Sequence, residues 1–156
     1  MKISKMTDYG VLVLNHLSRM GATRQSTEEI AEATSLALPT ARKVLKLLVD
    51  AGLVQARRGA RGGYWLTRSP EQIPLLAIVE AFEGKVQITE CSSTDEHGCE
   101  ITDSCSLSDN WGGINQVLVL VLSSITLGHI REPASLRRWI QNWSPATDRI
   151  PLIQVD

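Results

Sequence analysis

Apolar residues in the first third of the chain recur every three or four positions, which predicts a series of short amphipathic helices. The first helix is predicted from near Ser4 to Met20, because Gly21 follows the last apolar position and favours a helix end. The second helix is predicted to begin after Ser26, whose hydroxyl can form a capping box with Glu29.

A third helix is predicted from Pro39 to about Asp50, since proline suits the first helical turn and Gly52 follows the last apolar position. The tight turn between the second and third helices makes the pair a helix-turn-helix. The third helix would direct its polar side chains outward, as a recognition helix does in the major groove of DNA. A solvated helix face is the alternative reading. The outward residues are Thr40, Arg42, Lys43 and Lys46.

Two short strands are predicted at residues 53–56 and 64–67, with a glycine-rich tip between them. Glycine allows the chain to reverse, and arginines at the tip can reach phosphates or a narrow minor groove. This hairpin, called the wing (residues 53–67), completes a winged helix-turn-helix domain. Its arginines are Arg57, Arg58 and Arg61.

The second half of the chain has a polar, cysteine-bearing stretch between two apolar segments. The later segment is apolar on nearly every side, as in a helix that is buried on more than one face. In so small a chain the expected cover is the same helix of a second copy, so a homodimer is predicted. The fold class is mainly α with a small β-hairpin wing. The predicted division is a winged helix-turn-helix domain at 1–68, a linking helix at 69–84, a cysteine loop at 85–106, a dimerisation helix at 107–128 and a tail of unassigned role at 129–156.

Charge is distributed unevenly along the chain, although the net charge is only −1. Residues 1–68 contain 11 Lys and Arg against 5 Asp and Glu, a net charge of +6; residues 69–156 contain 5 against 12, a net charge of −7. A basic first half fits a domain that binds double-stranded DNA. The longest apolar run, residues 117–122, is too short to cross a membrane, and the first residues do not resemble a signal peptide. A cytoplasmic protein is therefore expected.

All three cysteines, Cys91, Cys99 and Cys105, lie in one short polar stretch. Thiols grouped without apolar cover indicate a soft metal site, and an odd number disfavours a disulfide framework. An iron–sulfur cluster tolerates these wide spacings and is favoured. Zinc, with His97 as a fourth ligand, would be expected to have more closely paired ligands. A redox-active thiol pair also stays open, although the surrounding carboxylates oppose thiolate formation.

Two sequence motifs accompany these cysteines: MTDYG at residues 6–10 and RGARGGYWL at residues 58–66. Together they resemble the IscR/NsrR/RirA family, bacterial winged-helix transcription regulators that bind an iron–sulfur cluster. The opening residues 2–14 look most like the branch that regulates the SUF cluster-assembly operon. The resemblance implies a homodimer crossed by its long helices, with the cluster near the dimer interface.

The resemblance also implies that the three cysteines are cluster ligands. IscR-like members use a histidine shortly after the third cysteine, but this chain has Ser108 at that position. NsrR-like members use an aspartate in the first helix of the other subunit, and Asp8 matches that position. His97 is a less favoured candidate, and His16, a small thiol, water or the lack of a fourth ligand stay open. Carboxylate ligation in this family accompanies a 4Fe–4S cluster, which is expected in preference to 2Fe–2S.

The expected function is that of a homodimeric DNA-binding repressor whose operator affinity is gated by the cluster and which controls SUF genes. The nearest alternative is a nitric-oxide- or iron-responsive repressor of the same family; an iron–sulfur electron-transfer protein is an alternative of another class. The sequence shows no nucleophile with a matching base, so an enzyme is not expected. IscR-like members have a glutamate where this chain has Arg42, so their operator sequence is not expected to apply.

Overall fold

The computed structural model describes residues 3–59, 61–89 and 105–143, except for the side chains of Ser108 and Asp109. Within those ranges the chain is mainly helical with one two-stranded antiparallel hairpin, which confirms the predicted fold class. A 3-10 turn at Pro70–Gln72 follows the hairpin. The helices and strands in chain order are α1 (Lys5–Met20), α2 (Thr27–Thr34), α3 (Leu38–Asp50), β1 (Val54–Arg57), β2 (Gly63–Leu66), α4 (Leu75–Glu83), α5 (Ser108–Ser124), α6 (Leu127–Arg131) and α7 (Pro133–Asn142).

The first two helices begin where the sequence predicts. Ser4 caps α1 by accepting a hydrogen bond from the Thr7 amide at 3.4 Å. The capping box of α2 forms in both directions: the Glu29 amide donates to Ser26 Oγ at 3.1 Å, and the Ser26 amide donates to the Glu29 carboxylate at 2.6 Å. Hydrogen bonds to the carboxylate from the Ser26 amide and, with less effect, from the Ser26 hydroxyl hold the pKa of Glu29 below its usual range. The cap therefore fixes the start of α2.

One apolar core joins α1 and α3 to the wing. Leu14 on α1 and Leu45 on α3 have no exposed surface. Leu53, directly before β1, belongs to the same buried cluster and so extends the core to the base of the hairpin. The two strands lie one residue away from their predicted positions, since β1 pairs Val54 with Leu66 and Arg57 with Gly63. Leu53 is nearly fully buried and precedes the strand instead of belonging to it. The hairpin is thus anchored to the helical core at its base.

The end of α5 differs from the prediction, which placed it near residue 127. The helix ends at Ser124 because the next residues are extended and pair with the start of α4. The Leu75 amide donates to the Ile125 carbonyl at 2.7 Å, and the Leu127 amide donates to the Ile73 carbonyl at 2.8 Å. This pairing buries Leu127 completely in the core. The burial and the two backbone hydrogen bonds provide the stabilisation that further turns of α5 would otherwise give.

The tail is also more helical than predicted. From the sequence, only one amphipathic segment of about one and a half turns is expected there. Instead, α7 has 10 residues and starts at Pro133. Proline here occupies the first helical turn, where its missing N–H is not needed, so it starts the helix. The described part of the tail therefore forms α6 and α7, which pack against each other.

The helix α5 keeps a largely exposed apolar face in the single chain. Its inner side packs on α4, where Leu122 is buried with Val79 and Val86. Ile114 retains 49% of its surface on the other side. In the described ranges, no helix has both the length and the apolar character required to cross a bilayer. The remaining exposed apolar residues on or next to α5 are Leu107, Trp111, Val117 and Leu120.

Candidate nucleic-acid interface and cysteine segment

The helix-turn-helix is closed by a turn at Ser35, which has a left-handed backbone with φ of 55°. The Leu36 amide donates to the Ala31 carbonyl at 3.0 Å and completes this turn. Because α3 buries its apolar stripe, its opposite face projects into solvent. Thr40 is half-buried on that face, and the cationic residues are exposed: Arg42, Lys43 and Lys46. The structure brings these four predicted residues together on one helix, while their role stays a prediction.

One of these cations is paired within the chain. Arg42 Nη2 lies 3.6 Å from Glu28 Oε1 on α2. Both side chains are about two-thirds exposed, at 63% and 66%, so this ion pair adds little stability, roughly 0–1 kcal/mol. Arg42 can therefore exchange Glu28 for a phosphate or a guanine edge at small cost.

The wing presents its arginines away from the core. Its tip depends on glycine, since a Cβ on Gly62 would overlap the carbonyl oxygen of Arg57. Gly63 has φ of +135°, and a Cβ there would lie 2.9 Å from the Gln25 carbonyl oxygen. The glycines therefore allow close backbone approaches that other residues would block. All three predicted arginines are exposed: Arg57, Arg58 and Arg61.

A fourth arginine, which the sequence reading did not include, contacts this wing. The Arg24 guanidinium lies over the Trp65 ring, 4.9 Å from the ring centroid. Its Nη1 also donates a hydrogen bond to the Arg61 carbonyl at 2.8 Å. Arg24 and Arg61 are 37 positions apart, and no local sequence pattern shows such a contact.

The MTDYG motif at residues 6–10 joins α1 to the end of α4. The Thr7 hydroxyl donates to the Glu83 carboxylate, and the Ser4 amide donates to it at 3.0 Å. Gly10 faces Phe82 so closely that a Cβ would overlap the aromatic ring. The threonine and the glycine of the motif therefore have packing roles at this helix–helix contact, which directly precedes the cysteine-bearing stretch.

Asp8 is a motif residue whose side chain takes no part in this contact. It is exposed in the first turn of α1, and its side chain has no hydrogen bond or ion pair with the described residues. An aspartate there is also favoured by the positive end of the helix dipole. Its carboxylate remains accessible to a ligand or to a second chain.

The cysteine segment is described only at its two ends. Cys105 is half-buried, three residues before α5 begins, whereas Cys91, Cys99 and His97 lie outside the described residues. At the other end, the Asn115 side chain of α5 accepts from the Ile88 amide at 3.1 Å and donates to the Val86 carbonyl at 3.3 Å. The start of the segment is thus bonded to α5, the helix that follows it.

The donor chemistry of the segment fits an iron–sulfur cluster. Cysteine thiolates are the usual ligands of such clusters, and the segment offers three of them. Asp8 lies on α1, outside the cysteine segment. Its carboxylate oxygen could therefore join the three thiolates only from α1 of the same chain or of a second chain. In the part of the chain that the structure describes, which includes one of the three cysteines, no three His, Cys, Asp or Glu residues form a metal site.

Known proteins that are similar to this chain are transcriptional regulators. The Rrf2 family profile, described as iron-dependent transcriptional regulator, matches residues 3–133. The transcriptional repressor NsrR of Streptomyces coelicolor is 30% identical over 112 residues, which cover 69% of this chain and 72% of NsrR.

Two solved structures show the same fold. CymR, described as the global cysteine regulator of B. subtilis, matches with a TM-score of 0.63 and 27% identity, covering 84% of this chain and 96% of CymR. IscR of T. potens matches with a TM-score of 0.58 and 29% identity, covering 86% of this chain and 88% of IscR. These relatives and neighbours are regulators, not enzymes.

The Glu83 contact gives a pH-dependent prediction. Hydrogen bonds from the Ser4 hydroxyl, the Thr7 hydroxyl and the Ser4 amide, in decreasing order of effect, hold the pKa of Glu83 below its ordinary value of 4.5. The charged carboxylate therefore stabilises the folded chain above that value, and the effect is lost as the pH falls through the lowered pKa. We expect Glu83→Gln to lower the free energy of unfolding at neutral pH, and the deficit to shrink in acid.

Urea unfolding at a series of pH values measures this deficit. Glu80→Gln is a matched control, since Glu80 lies on α4 and is exposed. It should leave the pH dependence of stability nearly unchanged. A Glu83→Gln deficit that is equally large below the lowered pKa would contradict the assigned contact.

Proposed function

The chain belongs to the Rrf2 family of transcriptional regulators, and from this premise we propose that it is a homodimeric repressor whose operator affinity is gated by an iron–sulfur cluster. One observation supports the link most strongly: the MTDYG motif ties α1 to the end of α4, directly before the cysteine segment. The same α1 packs on the helix-turn-helix. A structural change at the cysteine segment could therefore reach the DNA-binding surface through two packed contacts, from α4 to α1 and from α1 to the helix-turn-helix.

In the proposed DNA complex, α3 enters the major groove and the wing follows the neighbouring backbone or minor groove. Arg42 would leave Glu28 and contact a guanine edge or a phosphate. The wing arginines would neutralise phosphates, so affinity should fall steeply with salt concentration. The proposed DNA contacts are Thr40, Arg42, Lys43 and Lys46 from α3, and Arg57, Arg58 and Arg61 from the wing.

The proposed dimer pairs α5 with the same helix of a second copy. Its outer face is apolar along several turns, an unusual surface for a helix that faces only water. A two-fold dimer also places two recognition helices in successive major grooves, which a repressor of this architecture needs for a long operator.

We assign Cys91, Cys99 and Cys105 as cluster ligands, with the fourth position taken by Asp8 of the partner subunit. When bound, a cluster supplies a link between these residues that oxidants, nitric oxide or iron loss can alter. The protein's part is to hold α1 of one subunit against the cysteine segment of the other. His97 is the alternative fourth ligand, and the carboxylate assignment goes with 4Fe–4S in preference to 2Fe–2S.

The proposed targets are the SUF genes of cluster assembly, on the resemblance of residues 2–14 to that branch. A regulator with a bound cluster would then repress assembly genes, and loss of the cluster would release them. A nitric-oxide- or iron-responsive repressor of the same architecture is the nearest rival. Stepwise addition of nitric oxide to anaerobic protein discriminates, since a dedicated sensor should lose DNA binding at sub-stoichiometric doses.

The cysteine assignment predicts the spectrum of a single variant. Cys99→Ala should abolish the visible absorbance of anaerobically purified protein, because one of three thiolate ligands is removed. Its far-ultraviolet circular dichroism should stay that of a folded chain. Ser92→Ala, in the same polar stretch, is the matched control and should keep the absorbance. Full absorbance in Cys99→Ala would refute the ligand assignment.

The dimer assignment predicts a change of oligomeric state on α5. Ile114→Glu places a charge on the exposed apolar face and should shift the protein from dimer to monomer in sedimentation velocity. Gln116→Glu introduces the same charge on an exposed position of the same helix and should leave the dimer intact. If both variants remain dimeric, α5 does not form the interface.

A further inference from the structure

The wing is attached to the rest of the domain at a second place besides its base. The segment before α2 forms an isolated antiparallel bridge with β2, between Gln25 and Tyr64. The Tyr64 amide donates to the Gln25 carbonyl at 2.8 Å, and the Gln25 amide donates to the Tyr64 carbonyl at 3.1 Å. Because Tyr64 is the second residue of β2, this bridge holds the end of the strand that lies next to the arginine-bearing tip.

Arg24 extends this attachment from β2 to the tip itself. One face of its guanidinium covers the Trp65 ring, and its Nη1 holds the Arg61 carbonyl at 2.8 Å. A planar guanidinium can stack and donate at the same time, whereas an ammonium lacks the flat face. Arg24 therefore connects the strand of the wing to the backbone of a tip residue.

Arg24 contacts the wing although the positive charges of the wing arginines repel its guanidinium. Arg24 is bonded to a wing that carries three further exposed cations, Arg57, Arg58 and Arg61. The described residues show no carboxylate paired with any of these four arginines. Like charges disfavour such a cluster unless a polyanion is bound. The carbonyl and the aromatic face let Arg24 stay among these cations without a carboxylate partner.

We propose that Arg24 is a positioning residue for DNA binding, which holds the wing tip so that the Arg58 and Arg61 side chains meet the duplex. The proposal rests on the proposed DNA interface of the wing. Arg24 acts through Trp65 and the Arg61 carbonyl, and not chiefly as a phosphate contact of its own. It therefore sets the angle of the wing relative to α3.

The test measures affinity for a labelled duplex that the wild-type full-length protein selects from a random-sequence pool, at constant salt. Arg24→Gln should weaken binding about tenfold, equivalent to ~1.4 kcal/mol. Arg24→Lys should recover only part of that loss, because it restores the charge but not the flat face. Arg137→Gln on α7 removes one exposed positive charge elsewhere and should change affinity less than about twofold, as a single distant charge does. Full recovery by lysine, or no loss in Arg24→Gln, overturns the proposal.

A double-mutant cycle separates positioning from direct contact. In an Arg58→Gln/Arg61→Gln background, the further change Arg24→Gln should cost less than about twofold, because the side chains it positions are gone. An equal loss in both backgrounds would mean an independent phosphate contact and overturn the proposal. If Arg58→Gln/Arg61→Gln itself keeps wild-type affinity, the wing's part in the proposed function fails, and this inference fails with it. Unchanged thermal unfolding of Arg24→Gln shows that the domain stays folded.

Discussion

The contact between α1 and α4 connects the two halves of this protein. Gly10 leaves room for the Phe82 ring, and the hydroxyl of Thr7 reaches the Glu83 carboxylate at the end of α4. A larger residue at position 10 would separate the helices, because the ring lies where its Cβ would be. Since α1 also packs on α3, this contact places α3 relative to the chain that leads to the cysteines. The proposed regulation depends on that geometry.

Helix α5 is bonded to the preceding chain at two places, at Asn115 near its middle and directly after its last residue, Ser124. Asn115 bonds the backbone at residues 86 and 88, and the pairing of Ile125 with Leu75 returns the chain to the DNA-binding core. Leu127, which is fully buried, completes this return. A helix held at two places along its length transmits a shift instead of absorbing it, as packed elements do. In the proposed dimer, α5 would thus connect the two DNA-binding domains as well as join the subunits.

Features that depend on neighbouring residues could be predicted from the sequence. The capping box of Ser26 and Glu29, the proline start of α3 and the glycine-rich wing are local signals, and the structure contains each of them. The early end of α5 could not be predicted, because it depends on a backbone pairing with residues some fifty positions earlier in the chain. The role of Glu83 and the contact of Arg24 with the wing were missed for the same reason. Of the predicted site, the cations of α3 and the arginines of the wing are exposed, while their DNA contacts and the ligand roles of the cysteines stay predictions.

The proposed regulation requires that the cysteine segment controls the DNA-binding surface. The most direct measurement is the affinity of one anaerobic preparation for its selected duplex, before and after the cluster is removed by chelation, at one salt concentration. Removal of the cluster should change the affinity by at least about tenfold while the protein stays dimeric, as a coupling of ~1.4 kcal/mol between the two sites requires. Equal affinities with and without the cluster would contradict it, and would favour an electron-transfer role for the cysteine segment.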